Sequence, residues 1–149
     1  MHFRLERALF LPRPRVEVFA FFSDACNLER ITPAFVHFHI LTPSPIAMRA
    51  GTLIDYELRL YGIRFQWQTR IESFDPPVSF VDSQVKGPYK LWRHTHTFEE
   101  VAGGTQMRDS VDYALPMGAF GAAARWLCVR RSLNKIFDYR NAAIGEIFR

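Results

Sequence analysis

The chain has 149 residues, of which 48% are hydrophobic and 23% are charged, a composition typical of a folded globular protein rather than a disordered or fibrous one. This length is enough for one domain with a sizeable core, so we expect residues 1–149 to form a single domain. The formal charge of +4 comes from Arg and Lys residues that are scattered along the chain, which argues against a nucleic-acid partner.

The cysteines and the apolar segments bear on the cellular compartment. Cys26 and Cys128 lie far apart without metal-ligand spacing, so we expect buried free thiols in a reducing compartment. The charged residues Arg4, Glu6 and Arg7 make the N-terminus a poor secretion signal. The most apolar stretch, 117–129, contains an arginine and is too short to span a bilayer. We therefore expect a cytoplasmic protein with no stable membrane insertion.

The start of the chain predicts one strand followed by two short helices. Residues 3–11 alternate apolar and charged side chains, as a strand does, and Pro12 and Pro14 end that strand. Apolar residues at helical spacing follow over 16–22. Ser23 or Asp24 can cap the second helix, which then ends at a Thr-Pro pair.

Six further strands and a long helix make up the remainder. Alternating apolar and polar positions, typical of antiparallel strands with one buried face, occur at 36–40, 52–60, 63–72 and 80–85, and in a pair of strands that meets at Gly103-Gly104. Residues 119–148 contain no proline and predict a long amphipathic helix. Together these elements predict an α+β fold, in which a curved antiparallel sheet of about seven strands surrounds the C-terminal helix.

The space between the sheet and the helix is either core or cavity, and the aromatic content of 15% suits both. If it is a cavity, we expect roughly 300–1,000 Å³ and an apolar small-molecule ligand. The inward positions of the strands and of the helix predict its wall as Ile54, Tyr56, Leu58, Phe65, Trp67, Trp92, Phe98, Val111, Tyr113, Trp126, Val129, Leu133 and Phe137.

His94, His96 and Asp109 are the candidate catalytic residues. Counting back from the glycine turn pairs Phe98 with Met107 and His96 with Asp109, whereas a slip of one residue would turn the apolar side chains outward. We therefore predict that His96 and Asp109 are inward-facing cross-strand neighbours. The carboxylate could fix an imidazole tautomer for acid–base chemistry, or complete a two-His-one-carboxylate metal site. The simplest interpretation is a satisfied polar cluster in the wall, and we predict no metal and no cofactor.

Three other polar side chains have less specific roles. His37 and His39 alternate with apolar neighbours that claim the buried face, so we expect both to face solvent. Arg140 lies on or near the buried face of the long helix. It could contact an acidic group of a ligand, but an internal pair with an acid, or an extended side chain that reaches solvent, is the better expectation.

The junction before the long helix could admit a ligand. Pro116 and the glycines at 118 and 121 would either make a tight corner or weaken the helix start enough for it to open, together with the segment 42–50. The tight corner is the simpler expectation.

The order of elements resembles the START-like, or helix-grip, superfamily (SRPBCC), over essentially the whole chain. The matching segments are 16–24, 28–33, 87–89, 92–98, 104–105, 109–113 and Pro116. This superfamily includes pollen-allergen-like proteins, polyketide cyclases and coenzyme-Q-binding proteins, and the sequence is most similar to small bacterial cyclase/dehydrase-like members. The resemblance implies a cavity that holds a lipid, quinone, polyketide or plant hormone, with catalysis in only some members.

Three functional hypotheses follow. The first is binding of a hydrophobic small molecule that is lipid-, quinone- or polyketide-like. The second is a cyclase, dehydratase or isomerase, in which His96 or His94 moves protons, Asp109 orients the imidazole, and Tyr56 or Tyr113 holds a carbonyl. The third is a chaperone-like module that binds a protein partner, which should show a small or empty pocket and a large exposed apolar patch.

The sequence lacks the motifs of several other enzyme classes. The sequence has no Ser-His-Asp elbow, phosphate-binding glycine loop or dinucleotide fingerprint, which argues against a covalent hydrolase, a kinase or a dehydrogenase. It leaves open whether the protein is an enzyme, and whether it is a monomer or a homodimer.

Overall fold

A computed structural model describes residues 2–60, 62–116 and 122–149, with side chains of the last segment described from residue 126 onward. The strands are β1 (His2–Leu11), β2 (His39–Ile40), β3 (Leu53–Leu60), β4 (Ile63–Asp75), β5 (Ser79–Lys86), β6 (Leu91–Val101) and β7 (Gly104–Ala114). The helices are α1 (Arg15–Phe22), a first 3₁₀ helix (Ala25–Ile31), a second 3₁₀ helix (Ala34–Val36) and α2 (Ala122–Ile147).

All described strands belong to one antiparallel sheet in the order β1-β7-β6-β5-β4-β3-β2. The apolar faces of α1 and α2 supply the cover that this sheet needs on its inner face. The predicted α+β helix-grip architecture, with a curved sheet and a C-terminal helix, is therefore confirmed.

The predicted register of the last two strands is also confirmed. His96 lies opposite Asp109, and Phe98 lies opposite Met107. The connecting turn uses Gly103 at a φ of 82°, a left-handed conformation that glycine adopts without a steric penalty. This register places both histidines of β6 on the inner face, with His96 only 4% exposed.

Two predictions about the segment before β3 and about the cysteines were wrong. The strand expected at 36–40 is only two residues long, because His37 adopts a left-handed φ of 49° after the second 3₁₀ helix and interrupts the extended chain. His37 and His39 are exposed, as predicted. Cys26 and Cys128 are free but exposed rather than buried, since Cys26 lies in the first turn of the first 3₁₀ helix and Cys128 lies on the outer face of α2.

Two regions of the interior can be distinguished. We call the first the packed end: it is rich in phenylalanine and consists of Leu11, Val18, Phe19, Phe22, Ile31, Phe80, Phe98, Met107, Ile144 and Phe148. We call the second the cavity end: it contains Val36, Leu58, Leu60, Trp67, Tyr89, Val111, Tyr113, Val129, Leu133 and Phe137. The packed end is covered by α1 and the C-terminal end of α2, whereas the cavity end lies under the middle of α2.

Two remaining points concern the membrane and the proposed entrance. Among the described residues, no helix is both long and apolar enough to cross a membrane. The gate considered at the start of α2 falls largely on residues 117–121, which lie outside the described part of the chain.

Candidate functional site

A cavity of about 180 Å³ lies between the inner face of the sheet and α2. The predicted range of 300–1,000 Å³ was too large. Aromatic side chains occupy the difference: the Trp67 ring centroid lies 5.4 Å from that of Trp92, 5.7 Å from that of Tyr89 and 5.9 Å from that of Tyr56. These large rings fill much of the space that alternation alone would leave open.

About half of the predicted wall lines this cavity. Residues that do so are Ile54, Tyr56, Leu58, Trp67, Trp92, Leu133 and Phe137. Residues that do not are Phe65, Phe98, Val111, Tyr113, Trp126 and Val129, so for these the predicted position was wrong. The cavity lies over β3 to β6 and not over β7, which the alternation of single strands could not reveal.

Each residue outside the wall has another packing role. Phe98 belongs to the packed end, with its ring 5.2 Å from that of Phe19. Trp126 stacks on Phe3 of β1 at 5.3 Å, and Tyr113 lies 5.5 Å from the same ring. Val111, Val129 and the half-buried Phe65 pack within the cavity end without reaching the cavity itself.

A group of five side chains, which we call the polar cluster, lies where the packed end meets the cavity end. Its members are Asp82 of β5, His94 and His96 of β6, Asp109 of β7 and Arg140 of α2. All except Asp109 line the cavity. Phenylalanines from both ends enclose them: Phe80 stacks on His96 at 4.0 Å, and the Arg140 guanidinium lies 5.2 Å from the Phe22 ring and 5.9 Å from the Phe137 ring.

Each histidine bonds the carboxylate that is diagonal to it across the strands. His94 Nε2 lies 2.8 Å from Asp109 Oδ1, and His96 Nε2 lies 2.7 Å from Asp82 Oδ2. The residues directly opposite are His96 to Asp109 and His94 to Asp82. His96 Nδ1 is 3.4 Å from Asp109 Oδ1 but lacks the alignment of a hydrogen bond. The expectation that Asp109 orients His96 is therefore corrected: its hydrogen-bonded histidine is His94, because diagonal side chains can reach each other across a pleated sheet.

Arg140 completes the cluster from the helix. Its Nη2 donates to Asp109 Oδ1 at 3.1 Å, and its Nε donates to Oδ2 at 3.5 Å. Both side chains are buried, with relative exposures of 6% and 2%. The expected internal pair between Arg140 and an acid is thus present, and Asp109 is that acid.

Both carboxyl groups of the cluster are ionised at neutral pH. Burial would raise the pKa of Asp109, but the charge of Arg140 and the hydrogen bond to His94, with His96 close by, hold that pKa well below its usual range. Burial acts against Asp82 in the same way, and the hydrogen bond and charge of His96 reverse it and lower the pKa.

The pKa values of the two histidines are shifted in opposite directions. Burial, followed by the nearby charge of His96, lowers the pKa of His94 despite the pull of Asp109. For His96, burial is outweighed by the two carboxylates, and the pKa is raised. His96 therefore takes up a proton at a higher pH than His94, and once it does so Arg140 and one imidazolium balance the two acids. Since an ionised carboxylate only accepts, His94 carries its proton on Nε2, and its Nδ1 is an acceptor.

The two-His-one-carboxylate metal site, considered above as an alternative, would have a different carboxylate. Asp82, His94 and His96 offer ligand atoms that lie within 4.8 Å of one another, with Asp82 in the place expected for Asp109. Asp82 and both Nε2 atoms are already engaged in short hydrogen bonds, and the guanidinium of Arg140 lies at the neighbouring carboxylate. These contacts favour a self-neutralising cluster over a cation site.

A second polar group, centred on Thr69, lies elsewhere on the cavity wall. Thr69 Oγ1 accepts a hydrogen bond from Trp67 Nε1 at 2.9 Å, and Tyr56 Oη lies 2.9 Å from the same oxygen. Burial, followed by the negative charge of Asp82, raises the pKa of Tyr56, so this side chain remains a neutral phenol. Sequence analysis gave Thr69 no role, although its spacing of two residues from Trp67 places both side chains on the same face of β4.

Comparison with known proteins agrees with this architecture. A family model described as polyketide cyclase / dehydrase and lipid transport matches residues 11–136, and the chain belongs to that family. The Zhui aromatase/cyclase from Streptomyces sp. R1128 superposes with a TM-score of 0.79 at 12% identity, covering 98% of this chain and 93% of that one. No curated protein matches the sequence.

Two plant proteins extend the likeness. Ginseng major latex-like protein 151 from Panax ginseng has a TM-score of 0.69 at 12% identity, covering 99% of this chain and 97% of that one. Ara h 8.0201 has a TM-score of 0.62 at 14% identity, covering 97% and 98%. At such identities the likeness shows the fold alone, and that fold is the START-like helix-grip superfamily, as predicted from the sequence.

Proposed function

We propose that residues 1–149 form a single ligand-binding domain that holds a hydrophobic small molecule in the cavity between the sheet and α2. The observation that supports this most directly is the lining: most of the wall is apolar, and a few polar side chains converge on it from β4, β5, β6 and α2. Such a lining suits a ligand whose body is apolar and whose orientation is fixed by a small number of hydrogen bonds.

The cavity size narrows the ligand class. An engineered apolar cavity of about 150 Å³ holds benzene, so the present 180 Å³ suits a compact molecule of one or two rings. A long acyl chain would require side chains to move. Among lipid-, quinone- and polyketide-like ligands, the present shape favours a ring system, either alone or as the head of a larger molecule.

Binding can be tested by blocking the cavity from the helix. Ile136 lines the cavity and is only half-buried, so Ile136→Trp should fill the space without forcing a large group into the packed end. Leu127 lies on the exposed face of the same helix, and Leu127→Trp is the matched control. In calorimetric titrations with indane, the wild type and Leu127→Trp should bind and Ile136→Trp should not. Failure of the wild type to bind, or equal binding by Ile136→Trp, would contradict the proposal.

Proton-transfer catalysis is a second candidate, and it is favoured by the state of His94. Its Nε2–H is held by Asp109, and it lines the cavity with an unprotonated Nδ1. In an isomerisation, Nδ1 would take a proton from the carbon beside a carbonyl, the C–H electron pair would form the enolate, and the proton would return to another carbon. Deuterium incorporation at C2 of 1-indanone in D₂O tests this: the wild type should exceed both buffer and His94→Gln, and rates equal to buffer would rule it out.

The chaperone-like alternative has weaker support. The modest cavity is what that hypothesis expects. The large apolar side chains that are exposed, however, come from separate elements, such as Phe10 of β1, Val16 of α1 and Leu127 of α2. A partner surface would need a contiguous patch of them.

A further inference from the structure

The hydrogen bonds around Thr69 leave one hydrogen without an acceptor. Trp67 Nε1–H already occupies one lone pair of Thr69 Oγ1. Within the described ranges, one other hydrogen bond at this hydroxyl joins it to Tyr56 Oη, and either oxygen can be the donor. No other partner of the two hydroxyls is found in the described part of the chain.

Two hydroxyl groups that share a single hydrogen bond have one hydrogen to spare. If Tyr56 donates to Thr69, the hydrogen of Thr69 is left over; if Thr69 donates, the hydrogen of Tyr56 is left over. Thr69 is only 4% exposed, and both residues line the cavity. Because buried polar hydrogens are almost always partnered, a ligand with an acceptor at this position gains a hydrogen bond.

We infer that Tyr56 and Thr69 together form the donor site that selects and orients the ligand, which is a neutral ring compound with a carbonyl or ether oxygen. This inference rests on the proposed function, because it needs a ligand in the cavity. The flat shape follows from the wall: the rings of Tyr56 and Trp67 are inclined by only 16° and form a broad face. Trp92 stands at 89° to Trp67 and closes one side.

The electrostatics of the wall explain why the acceptor is neutral. Asp82 lines the same cavity as an ionised carboxylate, and its charge is felt at the Tyr56 hydroxyl. The groups of this wall that can carry positive charge, His96 and Arg140, are already bound to Asp82 and Asp109. A carboxylate ligand would thus find no unpaired cation among the described residues of the wall to offset the loss of its hydration.

The test compares two ligands of matched shape, indane and 1-indanone, by calorimetry on the full chain at pH 7. The measured quantity is the ratio of the indane Kd to the 1-indanone Kd. The two free ligands differ in hydration, but that difference is the same for every variant. A change in the ratio between variants therefore reports on the protein alone. Tyr56→Phe and Thr69→Val each leave one hydroxyl hydrogen free, so both should retain the wild-type ratio. The double variant removes both hydroxyls, and its ratio should fall about fivefold, the value of one neutral hydrogen bond.

Collapse of the ratio in either single variant, or no change in the double variant, would overturn the shared-donor assignment. Indane binding distinguishes the proposed function from the donor site. If the wild type binds neither indane nor 1-indanone, the proposed function is wrong. If all variants bind with equal ratios, only the assignment of the donor site is wrong. Indane-1-carboxylate should bind at least about tenfold more weakly than 1-indanone, because burying its charge is costly, and tighter binding would refute the requirement for a neutral ligand.

One measurement needs no variant and remains valid if the double variant does not fold. The infrared C=O stretch of ¹³C-labelled 1-indanone should shift to lower frequency on binding, relative to its position in an alkane, because a donated hydrogen bond weakens the carbonyl bond. A stretch that stays at the alkane frequency would contradict the proposal.

Discussion

The packed end and the cavity end share one sheet and one helix, yet the cavity lies mainly at the second, and only Phe22, Ile31 and Phe80 of the packed end reach its wall. Phe98 in the packed end is surrounded by other phenylalanines, with ring centroids 5.2 Å from Phe19 and 5.5 Å from Phe22. Such side chains carry no polar atoms and are free to adopt whichever rotamer interlocks best. Trp67 and Tyr56 at the cavity end must also keep a polar edge bonded to Thr69. That requirement restricts their orientation, so these rings cannot interlock as freely as the phenylalanines do.

The largest expected effect contrasts two phenylalanines, both nearly inaccessible to solvent. Phe98→Ala should lower the free energy of unfolding by about 3–5 kcal/mol, because it opens a void in the packed end. Phe137→Ala should cost less, towards the lower end of that range, since one side of Phe137 already faces a cavity. Urea unfolding of both variants measures the difference. Equal losses would mean that the two ends are packed alike.

The polar cluster at the boundary gives the next largest effect. Arg140→Met leaves Asp109 buried without its guanidinium and should cost about 3 kcal/mol at pH 8. At pH 5.5 the loss should be smaller, because without Arg140 burial raises the pKa of Asp109, and an Asp109 that takes up a proton has no charge to bury. The variant's stability should therefore fall as the pH rises from 5.5 to 8. Arg93→Met, which breaks the more exposed pair with Glu72, is the control and should cost less than about 1 kcal/mol.

The stabilisation of the protein by a bound ligand should depend on the cavity end alone. Indane at ten times its Kd should raise the free energy of unfolding by about 1.4 kcal/mol. Phe98→Ala should show the same increment, because its defect lies in the packed end, whereas Ile136→Trp should show none. If Phe98→Ala loses the increment, the two ends are coupled and the division between them is wrong.

The smallest effect lies in the titration of the two histidines. Measured by NMR, His96 should titrate above its ordinary pKa of 6.5 and His94 below it. His96 thus contributes stability that is fully present below pH 6.5 and is lost as the pH rises through its folded-state pKa. His94 acts in the opposite sense and costs stability as the pH falls below 6.5. Asp82→Asn should lower the pKa of His96; titration of His94 above His96 would refute the assigned charges.

The sequence was sufficient for the fold and for the register of the last hairpin. Strict alternation on both sides of Gly103 leaves one register that buries Met107, Val111 and Phe98 together, and the structure adopts it. The strand at 36–40 failed because alternation over five residues could not show that His37 takes a left-handed conformation.

The site was only partly predictable. Asp82 was missed although it lies two residues from the inward-facing Phe80, a spacing that places it on the same face. That it bonds His96 rather than its opposite residue His94 depends on side-chain direction, which pairing rules leave open. The cavity volume could not be predicted from the sequence either, since it depends on how rings from four strands pack against one helix.

The perpendicular pair formed by Trp67 and Trp92 has an optical consequence. Two indoles held 5.4 Å apart at 89° couple their electronic transitions, and the coupling is chiral because the protein fixes its hand. We expect an exciton couplet in the circular dichroism spectrum, arising at the cavity itself. A ring compound that enters the cavity must contact or tilt one of these indoles, so the protein carries an internal reporter of occupancy that requires no label.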